Sequence, residues 1–347
     1  MKISHVLKAG LLAGIALSLV ALAQQPADTP PAATTPPAAT TKKPAPPLPG
    51  VSTPGVRREM SAIQPEAAFP VEGAPDWQVV TEDAVWVTSS PKNMVHRLDA
   101  KTNAVAASIE VGKRPCSGLT AGFGTVWVPN CADKTVSRID MKTNRVVATL
   151  PFGPADSEGL VAVSSDSFWM VSGQGGKLLR IDPKTNKVSA EIAVAAGSVS
   201  CIFADNALWV TSPEKNVVTR VNAKSGKVTD TIPTGPGPRF ATAGGGSVWT
   251  LNQGDGTVSR IDQKTRKVVA SIEAGLPGPG GEMSFGAGHL WITMMQIPIT
   301  KIDPAINKVV RQWFGPGGDS IRFAFGSIWL SNIRQQNVWR VALNGLQ

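Results

Sequence analysis

Arginine and acidic residues alternate along one set of short loops in this sequence. Arg114, Arg239 and Arg322 alternate with Glu158, Glu282 and Asp319. Guanidinium groups hold carboxylates and phosphates through paired hydrogen bonds, and paired carboxylates can act as acid and base. The alternation leaves two interpretations open: a ring of mutually neutralising ion pairs, or a site for a small polar or anionic ligand. The candidate ligand-binding residues are Arg114, Glu158, Arg239, Asn252, Gln253, Glu282, Asp319 and Arg322.

Signals for catalysis are sparse. His5, His96 and His289 are the three histidines, and none lies near a cysteine or in a metal-binding spacing. Glu158 and Glu282 have neighbours of opposite charge that are expected to keep both ionised. No residue is therefore assigned as catalytic, and the three carboxylates named above remain candidates.

Cys116 and Cys131 flank one predicted hairpin symmetrically about its turn. They should face each other on neighbouring strands, and an oxidising compartment favours a disulfide between them. Cys201 is left over and is expected to be buried.

A tryptophan recurs about every 40 residues, and this period predicts the elements that carry those loops. A basic residue follows each tryptophan by ten or eleven positions, and an Asp or Asn follows two residues later in six of the seven repeats. Because the basic residues recur once per repeat, most of the net charge of +9 is interpreted as architectural. The seven tryptophans are Trp86, Trp127, Trp169, Trp209, Trp249, Trp291 and Trp329.

Each repeat contains four short alternating segments separated by Gly, Asn and Pro turns, the signature of four antiparallel strands. Seven such units predict an all-β, seven-bladed β-propeller with four strands per blade. The last repeat supplies only three strands before the chain stops. Residues 59–71 are therefore expected to complete the last blade and close the ring. The loops with the polar residues then meet at one mouth of the central channel.

The N-terminal residues predict export. Lys2 and Lys8 precede an apolar run and a small-residue cleavage site, so residues 1–23 are interpreted as a signal peptide. Residues 24–58 are rich in Pro, Ala and Thr and are expected to form a disordered linker. The domain is placed at 59–347. The expected mature chain is a periplasmic or secreted monomer without a transmembrane segment.

One repeat carries a resemblance to a known family. Val126-Trp127-Val128, Val136-Ser137-Arg138-Ile139-Asp140 and Lys142-Thr143-Asn144 resemble the YVTN β-propeller repeat family of YncE-like periplasmic proteins. That resemblance implies an extracytoplasmic binding or scaffold protein, with nucleic acid as one reported class of ligand.

A second resemblance points to an enzyme. Ala207-Leu208-Trp209-Val210-Thr211, Thr219-Arg220-Val221 and Ser225-Gly226-Lys227-Val228 look like the streptogramin (virginiamycin B) lyase family. The resemblance implies opening of a cyclic depsipeptide by His and Glu side chains with Mg²⁺. Glu282 could replace the family's carboxylate, but His96 and His289 fall on the wrong elements.

Gluconolactonase-type propellers suggest a third arrangement. They imply a divalent cation, Mg²⁺ or Ca²⁺, held by Glu158, Asn252 and Asp319. The favoured hypothesis is a non-catalytic propeller whose mouth binds a protein, peptide, glycan or polyanion. A metal-assisted lyase or lactonase using Glu158, Glu282 and Asp319 is the alternative.

Overall fold

The computed structural model of the chain describes residues 49–347. The expected signal peptide 1–23, and residues 24–48 of the expected linker, lie outside the described residues. Within residues 49–347, no helix has the length and hydropathy that a membrane crossing requires.

Seven β-sheets are arranged as the blades of a propeller, which confirms the predicted fold. Six sheets have four strands and one has five, and consecutive strands within each blade are antiparallel. Inner strands of neighbouring blades contact one another around the ring. Four short 3₁₀ helices cover Met60–Ala62, Ser90–Lys92, Ile333–Gln335 and Leu343–Leu346.

The strands, in chain order, are β1 (Arg57–Glu59), β2 (Ala67–Pro70), β3 (Pro75–Val80), β4 (Ala84–Ser89), β5 (Met94–Asp99), β6 (Ala104–Glu110), β7 (Thr120–Gly122), β8 (Thr125–Asn130), β9 (Thr135–Asp140), β10 (Arg145–Leu150), β11 (Ala162–Val163), β12 (Phe168–Ser172), β13 (Lys177–Asp182), β14 (Lys187–Ala193), β15 (Ser200–Ala204), β16 (Ala207–Ser212), β17 (Val217–Asn222), β18 (Val228–Pro233), β19 (Pro238–Gly244), β20 (Ser247–Asn252), β21 (Thr257–Asp262), β22 (Val268–Glu273), β23 (Glu282–Gly286), β24 (His289–Met294), β25 (Ile297–Asp303), β26 (Lys308–Phe314), β27 (Ile321–Ala324), β28 (Ser327–Asn332) and β29 (Asn337–Ala342). Blades 1 to 6 begin at β3, β7, β11, β15, β19 and β23. Blade 7 comprises β27, β28, β29 and β2.

The ring closes as predicted. Strand β2 pairs antiparallel with β29, with Ala67 opposite Arg340 and Pro70 opposite Asn337. Blade 7 therefore combines strands from both ends of the described domain, and β2 covers the edge of β29 that the last repeat leaves open.

The N-terminal segment also packs on blade 6. Strand β1 pairs parallel with the outer strand β26, and the Gly50 N–H donates to the Gly275 carbonyl at 2.7 Å. Val56 is buried in the same region. The expected linker 24–58 is therefore too long at its C-terminal end, because residues 50–58 already belong to the packed domain. The sequence pattern missed this segment because it lacks the alternation of the blade strands.

The recurring tryptophans are packing residues. All seven are almost completely buried on the second strand of their blades. Each indole N–H donates to a group five residues earlier, in the first-to-second-strand turn, as in Trp169 to Ser164 Oγ at 2.9 Å. The basic residue eleven positions later faces the indole from the third strand, with the guanidinium of Arg138 lying 4.2 Å from the Trp127 ring centroid.

Four of these arginines also hold the next blade. Arg138 donates to the Pro183 carbonyl at 2.7 Å, and Arg260 donates to Pro304 in the same way. Arg340 of blade 7 donates to the Ala100 carbonyl and to Asn103 Oδ1 of blade 1, across the closure. The repeated arginine charge is therefore architectural, since it links the third strand of one blade to the hairpin of its neighbour.

The hairpins between third and fourth strands follow from their Asp and Asn residues. The Asp140 carboxylate accepts from the Lys142 and Thr143 N–H groups at 3.0 and 2.7 Å. These bonds lower the pKa of Asp140. Asn144 then adopts φ 56°, a left-handed conformation that Asn tolerates well.

Candidate functional site

The fourth-to-first-strand and second-to-third-strand loops lie on one face, which we call the mouth face. Three residues occupy equivalent sequence positions at or just before the inner strands, each ten residues before its blade's tryptophan: Asp76, Arg239 and Asp319. Because the blades repeat, equal spacing places these side chains at equal height around the channel. Each is only partly exposed.

Asp76 of blade 1 and Asp319 of blade 7 form a carboxyl pair. Their side chains lie within hydrogen-bonding reach of each other. Burial raises the pKa of Asp76 well above its usual range, and the charge of Asp319 raises it further. Burial also raises the pKa of Asp319, while the hydrogen bond with Asp76 opposes that rise. The two carboxyl groups therefore titrate as a coupled pair whose pKa values are raised, chiefly by burial.

Glu158 of blade 3 lies beside Arg239 of blade 5. Burial raises the pKa of Glu158 to about 7, with a further contribution from the Asp319 charge, while Arg239 opposes the rise. Arg239 forms an ion pair with Asp156 at 3.2 Å and donates to Gln253 Oε1 at 3.1 Å. Gln253 in turn donates to the Gly280 carbonyl at 2.9 Å. Arg239 is therefore already engaged, and Glu158 is poised to change protonation near neutral pH.

Glu282 lies deeper, on the inner strand of blade 6, and is 1% exposed. Its carboxylate pairs with Arg322 and accepts a hydrogen bond from Ser320 Oγ, both in blade 7. Burial raises the pKa of Glu282, whereas Arg322 and Ser320 oppose the rise. This triad joins blades 6 and 7. Both terminal nitrogens of the Arg322 guanidinium are engaged, one by Glu282 and the other by the Ile321 carbonyl, so they are not free to bind an anion.

An aromatic contact closes the channel at the depth of Glu282. Trp77 of blade 1 and Phe240 of blade 5 are buried, and their ring centroids lie 5.7 Å apart although their blades are not neighbours. Below them, a cavity of about 170 Å³ is lined by Ile202, Thr242 and Arg322 among others. The mouth is thus a polar rim above an apolar floor rather than an open pore.

The mouth carries more acid than base. Five acidic residues share it with two arginines, and each arginine has its own carboxylate partner. Burial is the main cause of the raised pKa values at the mouth, and too few cationic partners are present to offset it. The acidic residues are Asp76, Asp156, Glu158, Glu282 and Asp319.

Asn252 is directed into its own blade. It is buried, and its side-chain nitrogen donates to Thr257 Oγ1 and Ser259 Oγ at 2.9 Å each. Asn130 bonds in the same way at the equivalent place in blade 2. Asn252 is therefore a repeated packing residue and does not reach the candidate site.

Arg114 also lies apart from the acidic group. It is exposed, adopts φ 55°, and has no ion-pair partner within residues 49–347. Its N–H donates to Asn93 Oδ1 of blade 1 at 2.8 Å. Of the predicted ligand-binding residues, the structure gathers Glu158, Arg239, Gln253, Glu282, Asp319 and Arg322, but not Arg114 or Asn252.

Cys116 and Cys131 are joined by a disulfide, with Cα atoms 5.8 Å apart. The bond fixes the loop that carries Ser117, whose hydroxyl donates to the Asp156 carbonyl at 2.8 Å. Cys201 is free and buried, and burial raises the pKa of its thiol to about 12. Cys201 is therefore not a nucleophile at neutral pH.

The carboxylates do not fit a metal site. Within the described residues, no three His, Cys, Asp or Glu side chains are grouped closely enough to hold a metal ion. The Glu282 carboxylate is occupied by Arg322 and Ser320, and a guanidinium beside it disfavours a cation. Asn252, proposed as an amide ligand, is turned away. The Mg²⁺ or Ca²⁺ implied by the enzyme resemblances therefore has no suitable set of ligands at this mouth.

The two described histidines lie elsewhere. His96 is on the third strand of blade 1, where its Nδ1 bonds Ser108 Oγ, and burial lowers its pKa. His289 begins β24 at a turn on the face opposite the mouth. Neither imidazole is at the mouth.

Asp76 is the site residue that the sequence analysis missed. It precedes the first tryptophan by ten residues, just as Arg239 and Asp319 precede theirs. Counting back ten residues from each tryptophan identifies it.

The comparisons with known proteins agree with this architecture. The family model described as "Virginiamycin B lyase family" matches residues 71–305. The chain belongs to the virginiamycin B lyase family. This membership supports the resemblance to the streptogramin lyase family, while the likeness to YVTN proteins stays a prediction.

Several solved structures share the fold. A streptogramin B lyase structure superposes with a TM-score of 0.66 at 18% identity, covering 79% of this chain and 95% of that one. A catalytically inactive histidine-to-alanine variant of virginiamycin B lyase from Staphylococcus aureus, with quinupristin, has a TM-score of 0.65 at 19% identity, covering 78% and 94%. Hydrazine synthase from Kuenenia stuttgartiensis has a TM-score of 0.64 at 15% identity, covering 84% and 98%. No curated protein sequence matches the chain.

Proposed function

We propose that this virginiamycin B lyase family member is an exported binding protein whose mouth takes a ligand bearing a cationic group. The observation that carries the proposal is the imbalance of charge at the mouth. Five acidic side chains face two arginines, and both arginines are already paired.

A bound ammonium or guanidinium group supplies the missing partner. It stabilises the ionised forms of Asp76, Glu158 and Asp319, so it lowers their pKa values and drives proton release. The ligand should therefore bind more tightly as pH rises through about 7, which is the pKa of Glu158 in the ligand-free protein. An anion held by the Arg239 and Arg322 forks would show the opposite trend.

Calorimetry with spermidine and trilysine tests the proposal. Affinity for these probes should rise between about pH 6 and about pH 8. The number of protons released on binding should match the slope of that rise. The Asp76→Asn/Asp319→Asn variant should bind at least about 10-fold more weakly, since a close charge pair contributes about 1.5 kcal/mol or more. Glu110→Gln, an exposed change on β6, is the matched control. Equal affinity in the mouth variant and the control contradicts the assignment.

A lyase is the second candidate, supported by the family and by Glu158. A lyase needs a base that removes a proton and an acid that protonates the leaving group. Glu158, with a pKa of about 7, suits the base, and Asp76, whose pKa burial raises well above its usual range, suits the acid.

Binding is favoured over lyase chemistry for two reasons. The relative from Staphylococcus aureus is inactive when one histidine is replaced, and His96 and His289 lie away from this mouth. The residues also do not fit a divalent cation. Incubation with quinupristin, followed by mass spectrometry, decides the question: a product formed by the unmodified chain but not by Glu158→Gln establishes the lyase.

A further inference from the structure

The face opposite the mouth carries a second feature, formed by the third-to-fourth-strand hairpins of blades 2 to 5. We call this surface the basic arc. Its hairpins project exposed lysine and arginine side chains, and exposed valines follow them on the outer strands. It comprises Lys142, Arg145, Lys184, Lys187, Lys224, Lys227, Lys264 and Lys267 together with Val147, Val188, Val228, Val268 and Val269.

The cations of the basic arc are free. None of the eight forms an ion pair with another of the described residues, whereas Arg180 and Arg220 beside the tryptophans pair with Asp166 and Asp205. The nearby carboxylates of Asp140, Asp182 and Asp262 accept backbone hydrogen bonds within the turns, and blade 4 has neutral Asn222 in their place. The surface therefore has a clear excess of positive charge.

Folding does not require these lysine side chains. Blade 6 has Ala305 where the other hairpins have lysine, and the same turn forms, with the Ala305 N–H donating to Asp303 Oδ1 at 2.8 Å. Only the backbone N–H takes part in the turn. The lysine side chains thus remain without a structural role.

Exposed apolar side chains lie close to the same hairpins, in the first half of the outer strands. Val147 is 57% exposed and Val269 is 55% exposed. Ile306 in the blade 6 hairpin, and Phe123 and Phe325 in first-to-second-strand turns, are also exposed. Of the large exposed apolar side chains within residues 49–347, only Met295 lies on the mouth face.

We propose that the basic arc docks the propeller on an anionic lipid surface. Basic side chains interleaved with protruding apolar ones are the combination that interfacial binding uses, because attraction to anionic headgroups adds to burial of apolar area. The hairpins end on one face of a disc, so several blades can reach a flat surface together. The mouth then points away from the lipid and stays open to its ligand.

Vesicle flotation tests the proposal with the chain from Gln24, so that the apolar run at residues 9–21 does not itself bind lipid. Vesicles of phosphatidylcholine with about 30% phosphatidylglycerol are compared with phosphatidylcholine alone. Binding should need the anionic lipid and weaken with salt. Lys184→Gln/Lys224→Gln should reduce the partition coefficient about 10- to 30-fold, from about 1 kcal/mol per lysine. Lys113→Gln/Lys134→Gln, on the mouth face, is the matched control and should change it less than about 2-fold.

The apolar half of the proposal has its own variant. Val147→Thr/Val269→Thr keeps β-branched side chains but replaces one methyl group of each with a hydroxyl, and should weaken vesicle binding about 3- to 10-fold. No preference for anionic vesicles, or equal losses in the arc and control lysine variants, overturns the proposal. Unchanged binding of the valine variant, together with equally tight binding to duplex DNA or polyphosphate, also overturns it and identifies a polyanion surface instead.

Discussion

Replacing Glu158 with glutamine removes the carboxylate whose protonation is most sensitive to neutral pH. Its pKa is raised from 4.5 to about 7 by burial and by Asp319, Asp156 and Glu282, against the opposing effect of Arg239. One pKa unit corresponds to about 1.4 kcal/mol, so the full shift corresponds to about 3 kcal/mol. Glu158 is partly exposed, and solvent screening reduces the expected effect to about 1–2 kcal/mol.

The sign follows from linkage. Because the pKa is higher in the folded state, the contribution of Glu158 to stability is fully present below pH 4.5 and is lost as pH rises through about 7. Asp76 and Asp319 act in the same direction, since their pKa values are also raised. The unmodified chain should therefore lose free energy of unfolding between about pH 5 and about pH 8, and Glu158→Gln should lose about 1–2 kcal/mol less.

Urea unfolding followed by tryptophan fluorescence measures both chains at the two pH values. Glu110→Gln serves as control, because Glu110 is exposed at the end of the outer strand β6, away from the channel axis. A carboxyl resonance of Glu158 that titrates near 7 in NMR would agree directly. If Glu158→Gln and the unmodified chain lose the same stability over this range, the electrostatic account of the mouth is refuted.

Three further changes test the structural links. Arg322→Met should cost about 3–5 kcal/mol of unfolding free energy because it leaves Glu282 buried without its cation, and adding Glu282→Gln should restore part of the loss; denaturation of the single and double variants checks this. Replacing both Cys116 and Cys131 with serine should cost up to about 3 kcal/mol, since the bond closes a loop of 15 residues; equal melting temperatures with and without reductant would contradict it. Arg340→Lys should cost about 1–2 kcal/mol, because one ammonium cannot replace the fork that reaches blade 1; an unchanged urea midpoint would show that this link is dispensable.

Much of the fold could be predicted because each repeat contains residues that determine its structure through local contacts. The tryptophan, the basic residue eleven positions later and the Asp that starts the hairpin act within one blade, or between a blade and its neighbour. Closure was predictable for the same reason, since three strands in the last repeat require a fourth from elsewhere. The parallel strand β1 and the segment before it were not, because they repeat nothing and are held by Gly275 and Gln312 far along the chain.

The candidate site is a different case. The period placed Glu158, Arg239, Glu282, Asp319 and Arg322 at one mouth, but not their partners. Asp319 of blade 7 contacts Asp76 of blade 1 where the ring closes. Arg239 forms an ion pair with Asp156 of the same chain.

Alternating charges along the sequence suggested neutral pairs, whereas the tertiary structure produced an acidic excess. The physical reason is that charge balance at a channel depends on which side chains approach across the axis and lose water together. The sequence by itself determined the seven-bladed ring and its mouth face. Only the packing of the blades decided the protonation of that mouth and left the lysines of the basic arc unpaired.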